Sequence, residues 1–249
     1  MAATIVSVIN QKGGTGKTTT TINLGSALQK LGKRVLLIDL DPQANLSYSL
    51  GITEPACTLA DVFTGKDKLK DCIQERNGLF VAPGTNELVD VEISLVNHEE
   101  REKFLQHMFV EVQDYDYILI DCPPSLSLLT VNALAASHEV LIPLQMEVLT
   151  LQGLGQILNT VQQIKETLNS KLKVKGIVVV MYDKRRKLST EIEDYLKENV
   201  DEYIFQQRIR LNVKLAEAPS FGQSVLDYDG SSYGAKDYLG LAKEFITIP

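Results

Sequence analysis

Short, nearly continuous apolar runs recur along the chain and alternate with longer stretches of helical periodicity. The runs cover residues 3–9, 34–40, 78–84, 115–122, 139–144 and 174–182. Apolar runs of this length are typical of strands that are buried on both faces of a parallel sheet. We therefore predict six strands at these positions.

The stretches between the runs predict helices. Residues 149–168 place apolar side chains about 3.6 residues apart over five turns, and residues 17–31 and 233–249 have similar patterns. Residues 58–111 are polar and mostly helical with one strand, which we interpret as a layer around the sheet. The alternation predicts a doubly wound α/β fold, with a mostly parallel sheet flanked by helices, in which residues 1–249 form a single domain.

The amino-acid composition argues against several classes of protein. The net charge of −7 argues against a protein that is basic all over, and no apolar run approaches the roughly 18 residues of a membrane span. The three cysteines lack metal-ligand spacing, so we expect reduced thiols. The first residues lack the features of a signal peptide. We therefore expect a cytoplasmic protein.

The stretch INQKGGTGKTTT at residues 9–20 is almost a phosphate-binding loop of the pattern G-x-x-x-x-G-K-[ST]. Its end fits at Gly16, Lys17 and Thr18, whereas Gln11 replaces the first glycine and Lys12 is an additional lysine. A strand precedes the loop and a helix follows it, which favours phosphate binding over a glycine-rich turn with solvated lysines. The nucleotide-binding residues predicted here are Lys12, Gly13, Gly14, Thr15, Gly16, Lys17, Thr18 and Thr19.

Within this loop, backbone N–H groups and the helix dipole favour phosphate, and we expect Lys17 to reach the β- and γ-phosphates. The Thr18 hydroxyl and the Asp121 carboxylate, which ends the apolar run YILID, are candidate ligands for Mg²⁺. The alternative for Asp121 is a turn aspartate at a strand end. ATP and Mg²⁺ are thus the expected cofactors.

The motif KGGTGKT resembles the deviant Walker A motif of the ParA/MinD family of P-loop ATPases. The segments DLDPQANLS, DYILIDCPPS and LAEAPSFGQSV resemble the Soj-type partition ATPases of that family in particular, in the same order along the chain. This resemblance implies a P-loop NTPase fold, slow ATP hydrolysis and a homodimer that encloses two ATP molecules. It further implies that Lys17 acts within its own subunit and that Lys12 crosses to the phosphates of the other.

The resemblance also assigns the two aspartates that follow the second apolar run. Asp41 orients the attacking water, so the expected catalytic residues are Lys12, Lys17 and Asp41. Asp39 supports the metal together with Thr18 and Asp121. The alternative for Asp39 is a helix cap near Pro42.

A local excess of positive charge indicates a surface that can bind nucleic acid. Residues 171–214 hold 11 Lys and Arg against 7 Asp and Glu, a net of +4. Such a patch binds phosphates without reading sequence, and we expect it to lie apart from the phosphate loop. The resemblance places non-specific DNA binding at Arg185, Arg186, Arg210 and Lys214, whereas the alternative is a solvated loop. Arg210-Leu211 stands where relatives commonly have Pro-Arg, so the sequence does not assign the adenine contacts.

The resemblance implies a partner as well, a ParB-like centromere-binding protein that stimulates hydrolysis and releases the dimer from the nucleoid. The cargo would be a chromosome or a plasmid, and a protein cargo stays open. A membrane-cycling ATPase of the MinD type needs a basic amphipathic C-terminal helix, but Asp237 and Glu244 balance Lys236 and Lys243. We therefore expect no membrane partner. An iron–sulfur carrier needs grouped cysteines, and the three cysteines of this chain are not grouped.

Overall fold

The computed structural model of the chain describes residues 3–112, 114–183, 185 and 187–248, and a seven-stranded sheet lies at its centre. The strands are β1 (Thr4–Val8), β2 (Val35–Asp39), β3 (Gln74–Arg76), β4 (Leu79–Ala82), β5 (Tyr117–Asp121), β6 (Glu139–Gln145) and β7 (Lys173–Val180). Their order is β3-β4-β2-β5-β1-β6-β7, and only the β3–β4 pair is antiparallel. The mostly parallel sheet and all six expected strands are confirmed. The short polar strand β3 was not expected.

Helices cover both faces of this sheet. They are α1 (Lys17–Lys30), α2 (Asn45–Ser49), α3 (Leu59–Phe63), α4 (Leu69–Cys72), α5 (Leu88–Leu95), α6 (Phe104–Met108), α7 (Leu128–Ala136), α8 (Val148–Thr167), α9 (Lys187–Asn199), α10 (Val213–Glu217), α11 (Val225–Tyr228) and α12 (Tyr233–Thr247), with short 3-10 helices at Phe109–Glu111 and Ala218–Phe221. The three helices expected from periodicity are present. Within the described residues, no helix combines the length and apolarity needed to cross a membrane.

Strand β2 shows why apolar runs rather than alternating patterns mark these strands. Its Leu36 and Ile38 pack into the core on one face of the sheet, and Val35 and Leu37 pack into the core on the other. Successive strand residues point to opposite faces, so a strand covered on both sides must be apolar at every position. This double burial is the physical basis of the strand predictions.

The register of the central strands gathers their carboxyl ends at one edge. Asp121 at the end of β5 pairs with Val8 at the end of β1 and with Asp39 at the end of β2. Strand β1 lies between β5 and β6, and the chain leaves it through a loop into α1. Ligand sites of doubly wound sheets lie in such a crevice, beyond the carboxyl ends of the strands.

The cysteines depart from the sequence-based expectation of reduced thiols. The structure joins Cys57 and Cys72 in a disulfide with their Cα atoms 4.9 Å apart, and leaves Cys122 as a buried free thiol. Thr58 begins α3 with a capping box directly after Cys57, and Cys72 is the last residue of α4. Two short helices therefore bring together cysteines whose spacing in the sequence gives no such signal.

The contact between Gly84 and the end of β2 yields a test of this packing. A Cβ atom at Gly84 would lie 2.3 Å from the carbonyl oxygen of Asp39, whereas one at Gly155, within α8, would meet no atom within 4 Å. We expect Gly84→Ala to lower the free energy of unfolding by about 1–3 kcal/mol, because two backbone segments must separate. Gly155→Ala is the matched control and should stabilise by up to about 1 kcal/mol, since alanine favours helix. Urea denaturation measures both; equal stability of the two variants would contradict the packing described here.

Candidate functional site

The loop between β1 and α1 is fixed from the side of β6. The side-chain amide of Asn10 donates to the carbonyl of Pro143 (2.7 Å), and that of Gln145 donates to the carbonyl of Gly14 (3.0 Å). Gly14 and Gly16 have φ angles of 74° and 77°, in the left-handed region that favours glycine. The result is a fixed turn that delivers the chain to the amino end of α1, where free N–H groups favour an anion.

Lys17 is the first residue of α1, and its side chain is buried among carboxylates. Burial lowers the pKa of its amine, and the negative charges of Asp121 and Asp41 act in the opposite direction. Thr15 is buried in the loop, whereas Lys12, Gly13 and Gly14 are exposed. The structure thus places a buried cation at the point where the loop enters the helix.

Asp39 and Asp121 lie side by side at the ends of β2 and β5, and both are fully buried. The hydroxyl of Thr18 donates to Oδ2 of Asp121 (2.6 Å), and the amide and hydroxyl of Ser47 donate to Oδ2 of Asp39 (2.8 and 2.6 Å). Among the described residues, Oδ1 of each carboxylate is buried and has no hydrogen-bond partner. The three residues expected at the metal therefore converge, and Ser47 is an addition that the sequence did not reveal.

This pair of carboxylates carries the electrostatic signature of a cation site. Burial raises the pKa of Asp39 to about 6, although the hydrogen bonds from Ser47 lower it. Burial also raises the pKa of Asp121 well above its ordinary value, and the charge of Asp39 adds to this effect. Two orphaned carboxylate oxygens beside the Thr18 hydroxyl form an all-oxygen donor set, which is the kind that Mg²⁺ prefers.

Asp41 occupies the turn between β2 and α2. It is buried, and its Oδ1 accepts a hydrogen bond from the amide of Gln43 (3.0 Å). Its charge acts on Lys17. The carboxylate is therefore close enough to the loop lysine to influence it electrostatically, while its own turn holds it in place.

Lys12 lies in a different environment from Lys17. Its amine pairs with the carboxylate of Glu147 at 2.5 Å, and both side chains are nearly half exposed. Glu147 precedes α8 and is 135 residues away in the sequence, so no local pattern could have identified it. In this structure the two lysines of the loop thus have separate partners.

A cavity of about 150 Å³ opens beside the loop. Its lining residues come from the start of α1, the end of β7, the segment around α10 and helix α12, and they are Gly16, Thr19, Val180, Met181, Ile209, Arg210, Leu211, Asn212, Leu215, Ala216 and Tyr238. Of these residues, the sequence assigned Gly16 and Thr19 to the nucleotide and Arg210 to DNA. A mostly apolar cleft next to an anion-binding helix end can accept a flat heterocycle joined to phosphates.

Two of the expected DNA-binding residues lie together. Arg185 and Arg210 line one cavity of about 330 Å³, because Tyr182 and Arg210 form a bridge between the segments that carry them. The side chain of Arg185 is 84% exposed, and its guanidinium makes two hydrogen bonds to the carboxylate of Asp183 (2.8 and 2.9 Å). Arg186 lies outside the described residues.

Arg210 also corrects the expectation that the basic patch lies apart from the phosphate loop. It lines the cavity beside Gly16, and its guanidinium pairs with the buried carboxylate of Asp237 (2.5 and 2.9 Å). Lys214 pairs with Glu217 at 2.8 Å on the exposed surface. Arg210 therefore anchors α12 through a buried carboxylate, although its side chain is 44% exposed, whereas Arg185 and Lys214 pair only with carboxylates that are themselves partly exposed.

Comparisons with known proteins show the family to which the chain is similar. A family model described as an AAA domain matches residues 3–174. The chain is 43% identical over 249 residues to the chromosome-partitioning ATPase Soj of Treponema pallidum (strain Nichols), covering 99% of this chain and 98% of that protein. It is 44% identical over 245 residues to the sporulation initiation inhibitor protein Soj of Bacillus subtilis (strain 168), covering 96% and 97%. Among solved structures, the septum site-determining protein MinD of Pyrococcus horikoshii, complexed with Mg-ADP, matches with a TM-score of 0.80 at 27% identity, covering 98% and 96%.

The buried carboxylate of Asp39 predicts a pH dependence. Its folded-state pKa of about 6 exceeds the ordinary 3.8, so its contribution to stability is present below about pH 4 and is lost as the pH rises through about 6. In protein free of nucleotide and magnesium, we expect the isosteric Asp39→Asn to raise the free energy of unfolding at pH 7.5 by on the order of 2–3 kcal/mol. Urea denaturation at pH 5 and 7.5 measures this.

The matched control is Asp61→Asn, since the hydrogen bond from Lys66 lowers the pKa of Asp61. That variant should not gain stability at pH 7.5. If Asp39→Asn is less stable than wild type at pH 7.5, the buried carboxylate is not destabilising without a cation.

Proposed function

Because the chain belongs to the Soj/ParA family of chromosome-partitioning ATPases, we propose that it couples the hydrolysis of Mg-ATP to reversible dimerisation on DNA. The observation that carries the proposal is the convergence of Thr18, Asp39 and Asp121 beside the buried Lys17, with two carboxylate oxygens left without partners. These residues are the ones that a nucleotide phosphate chain and its metal require.

In this proposal, the loop amides and Lys17 hold the phosphates, and Thr18 with Asp121 and Asp39 holds Mg²⁺. The ion supplies neutralisation of the phosphate charge when it is bound. The adenine occupies the cavity beside Gly16 and Thr19, whose apolar walls suit a flat ring. This assignment is supported because the chemistry of each group suits the part of Mg-ATP that it would bind. The raised pKa values of Asp39 and Asp121, for example, suit residues that bind a cation.

Hydrolysis joins a water oxygen to the γ-phosphorus and breaks the bond from that phosphorus to the bridging oxygen of ADP. Asp41 orients the water, and its fixed turn supports that role. Nothing in the described site resembles a strong general base, so catalysis depends on positioning of the water and on electrostatic stabilisation of the transferring phosphoryl group. We therefore expect slow turnover until a ParB-like partner completes the arrangement.

Lys12 supplies its charge to the nucleotide of a second subunit. Two ATP molecules facing each other repel, and a lysine donated across the interface offsets that repulsion. The contact with Glu147 keeps Lys12 on the outside of its own loop, which favours this role. The neighbouring Gly13 has no atom within 4 Å of where a Cβ would lie, so the approach of a second backbone gives a reason for glycine there.

DNA binding is assigned to the exposed cations Arg185 and Lys214, with Arg186 nearby in the sequence. Dimerisation on ATP doubles the patch, and two weak sites on one rigid body act together. Association with the nucleoid follows from such non-specific binding. A ParB-like partner on the chromosome or plasmid would then release the dimer by stimulating hydrolysis.

Substitutions of the two loop lysines test whether Lys17 contacts the nucleotide of its own subunit and Lys12 that of the other subunit. Lys17→Ala should lose ATP affinity by at least about tenfold, because it removes the contact within the subunit. Lys12→Ala should bind ATP nearly as well but fail to hydrolyse it or to sediment on DNA with ATP. Binding of a fluorescent ATP analogue, phosphate release and sedimentation on DNA with ATP, with ADP and without nucleotide measure the three steps. Equal losses of ATP affinity in both variants would show that Lys12 serves its own subunit.

The DNA surface makes a separate prediction. Arg185→Ala and Lys214→Ala should each weaken binding to any DNA sequence by a similar factor and reduce the salt slope by about one counterion per lost contact. ATP binding should survive both changes. Arg210→Ala should instead lower stability, because it leaves the buried carboxylate of Asp237 without its charged partner. A salt titration of DNA binding, with thermal melts, separates these effects; an unchanged slope in the Arg185/Lys214 double variant would exclude this surface.

A further inference from the structure

The disulfide between Cys57 and Cys72 lies in the segment that connects α2 with β3. Cys57 is partly exposed, whereas Cys72 is buried (2% exposed). Their Cα atoms are 4.9 Å apart, a separation at which a disulfide forms without movement of the backbone. A small reagent can therefore reach one of the two sulfur atoms while the fold shields the other.

This disulfide is unusual for the class of protein that the sequence predicts. We expect a cytoplasmic protein, and disulfides in reducing compartments are usually transient and either catalytic or redox-sensing. Hydrolysis of ATP transfers no electrons, so it has no use for a catalytic disulfide. Neither cysteine belongs to the residues that we assign to the nucleotide, the metal or DNA. A redox-sensing pair is therefore the role that the chemistry leaves.

Hydrogen bonds connect the region of the disulfide to the buried carboxylate of Asp39. The amide of Leu59, the first residue of α3, donates to the carbonyl of Pro83 (2.8 Å). The next amide along the chain from Pro83, that of Gly84, donates to the Ser47 hydroxyl (3.1 Å), which donates to Asp39 (2.6 Å). The start of α3 and the support of Asp39 thus share the short segment at the end of β4.

The disulfide is a covalent restraint on two very short helices. The buried side chains of Phe63 and Leu69 also hold α3 and α4 in the core. Between them, Lys66 pairs with Asp61 (2.7 Å), but the lysine side chain is 68% exposed, and such a pair contributes little to stability. The disulfide joins positions 15 residues apart and restricts the whole segment between them. Its reduction should therefore loosen α4 and the amino end of α3.

We propose that Cys57 and Cys72 form a reversible thiol switch, which a low-molecular-weight disulfide closes and the corresponding thiol opens. Closing the switch holds the amino end of α3, and with it the support of Asp39, in the arrangement that binds Mg²⁺. The proposal rests on the proposed function for the metal and nucleotide that Asp39 serves. It adds a modification site and a way in which the redox state of the surroundings regulates the nucleotide site.

Two thiol–disulfide exchanges close the switch. The thiolate of the partly exposed Cys57 attacks one sulfur of glutathione disulfide, forms a mixed disulfide and releases one glutathione thiolate. The thiolate of Cys72 then attacks Sγ of Cys57, forms the protein disulfide and releases the second glutathione thiolate. The two protons lost by the cysteines are taken up by the two glutathione thiolates. Two electrons thus pass from the protein to the oxidant, and excess glutathione reverses both steps.

A count of free thiols tests whether the switch is reversible. The protein is equilibrated with mixtures of oxidised and reduced glutathione, quenched with acid, unfolded and labelled with a maleimide polymer, so that each free thiol shifts the band on a gel. We expect all three cysteines to be labelled in reducing mixtures and only Cys122 in oxidising mixtures. Cys122→Ala is the matched control and should show the same transition with one label fewer. An unchanged number of labels at every glutathione ratio would overturn the proposal.

The affinity for Mg-ATP tests the coupling to Asp39. We expect the oxidised wild type to bind a non-hydrolysable fluorescent ATP analogue with Mg²⁺ at least about fivefold more tightly than the reduced wild type. By reciprocity, the saturating analogue should shift the glutathione ratio at which half of the switch is closed by the same factor. Without Mg²⁺, the oxidised and reduced forms should bind the analogue equally, because Asp39 acts on the nucleotide through the metal.

Cys57→Ser separates the disulfide from other effects of the redox buffer. This variant should bind the analogue with the affinity of the reduced wild type at every glutathione ratio. A redox response of Cys57→Ser, or equal affinities of the oxidised and reduced wild type with Mg²⁺, would overturn the proposal. If neither form of the wild type binds the analogue, the proposed function fails, whereas normal binding without a redox response overturns only the thiol switch.

Discussion

The burial of two carboxylates side by side at the ends of β2 and β5 is the constraint on which the rest of this structure depends. Parallel register brings Asp39 and Asp121 together, and the sheet and its helices remove both from water. Burial raises the pKa of both carboxyl groups, and the negative charge of Asp39 repels that of Asp121 and raises the pKa of Asp121 further. A cation relieves this repulsion, and Thr18 and Lys17 lie where the loop can bring phosphate to it. The site is therefore destabilising alone and favourable with its ligands, which links ATP binding to the stability of the whole edge.

The two lysines of the loop illustrate how environment separates identical side chains. Lys17 is buried, and the negative charges of Asp121 and Asp41 act on its amine, so removing its charge would leave these carboxylates less compensated within the same subunit. Lys12 is exposed and held by one carboxylate at the start of α8. An exposed ion pair contributes little to stability and exchanges readily. That difference is the physical reason for assigning Lys17 to the chain's own nucleotide and Lys12 to that of a partner subunit.

Several segments serve both the fold and the site. Arg210 anchors α12 through Asp237 and also lines the cavity beside Gly16. Helix α5 packs into the core, caps α7 through Glu92 and exposes the side chains of Val89 and Ile93 to solvent. Because these roles share residues, a change at the surface of such an element can affect the position of the strand ends.

The sequence by itself predicted the strands of the sheet and the loop between β1 and α1, because each leaves a local signature, and it singled out Thr18 and Asp121, which the fold brings together. Doubly buried strands must be apolar at every position, and the loop between β1 and α1 needs glycine at Gly14 and Gly16, where φ is positive. Strand β3 escaped prediction because it is short and polar, and the Cys57–Cys72 disulfide because spacing alone does not specify pairing. Glu147, the cavity lining from Val180 to Tyr238 and the position of Arg210 in that lining depended on tertiary structure. These contacts join residues that are far apart in the chain, and no local periodicity records which distant segments the fold will bring together.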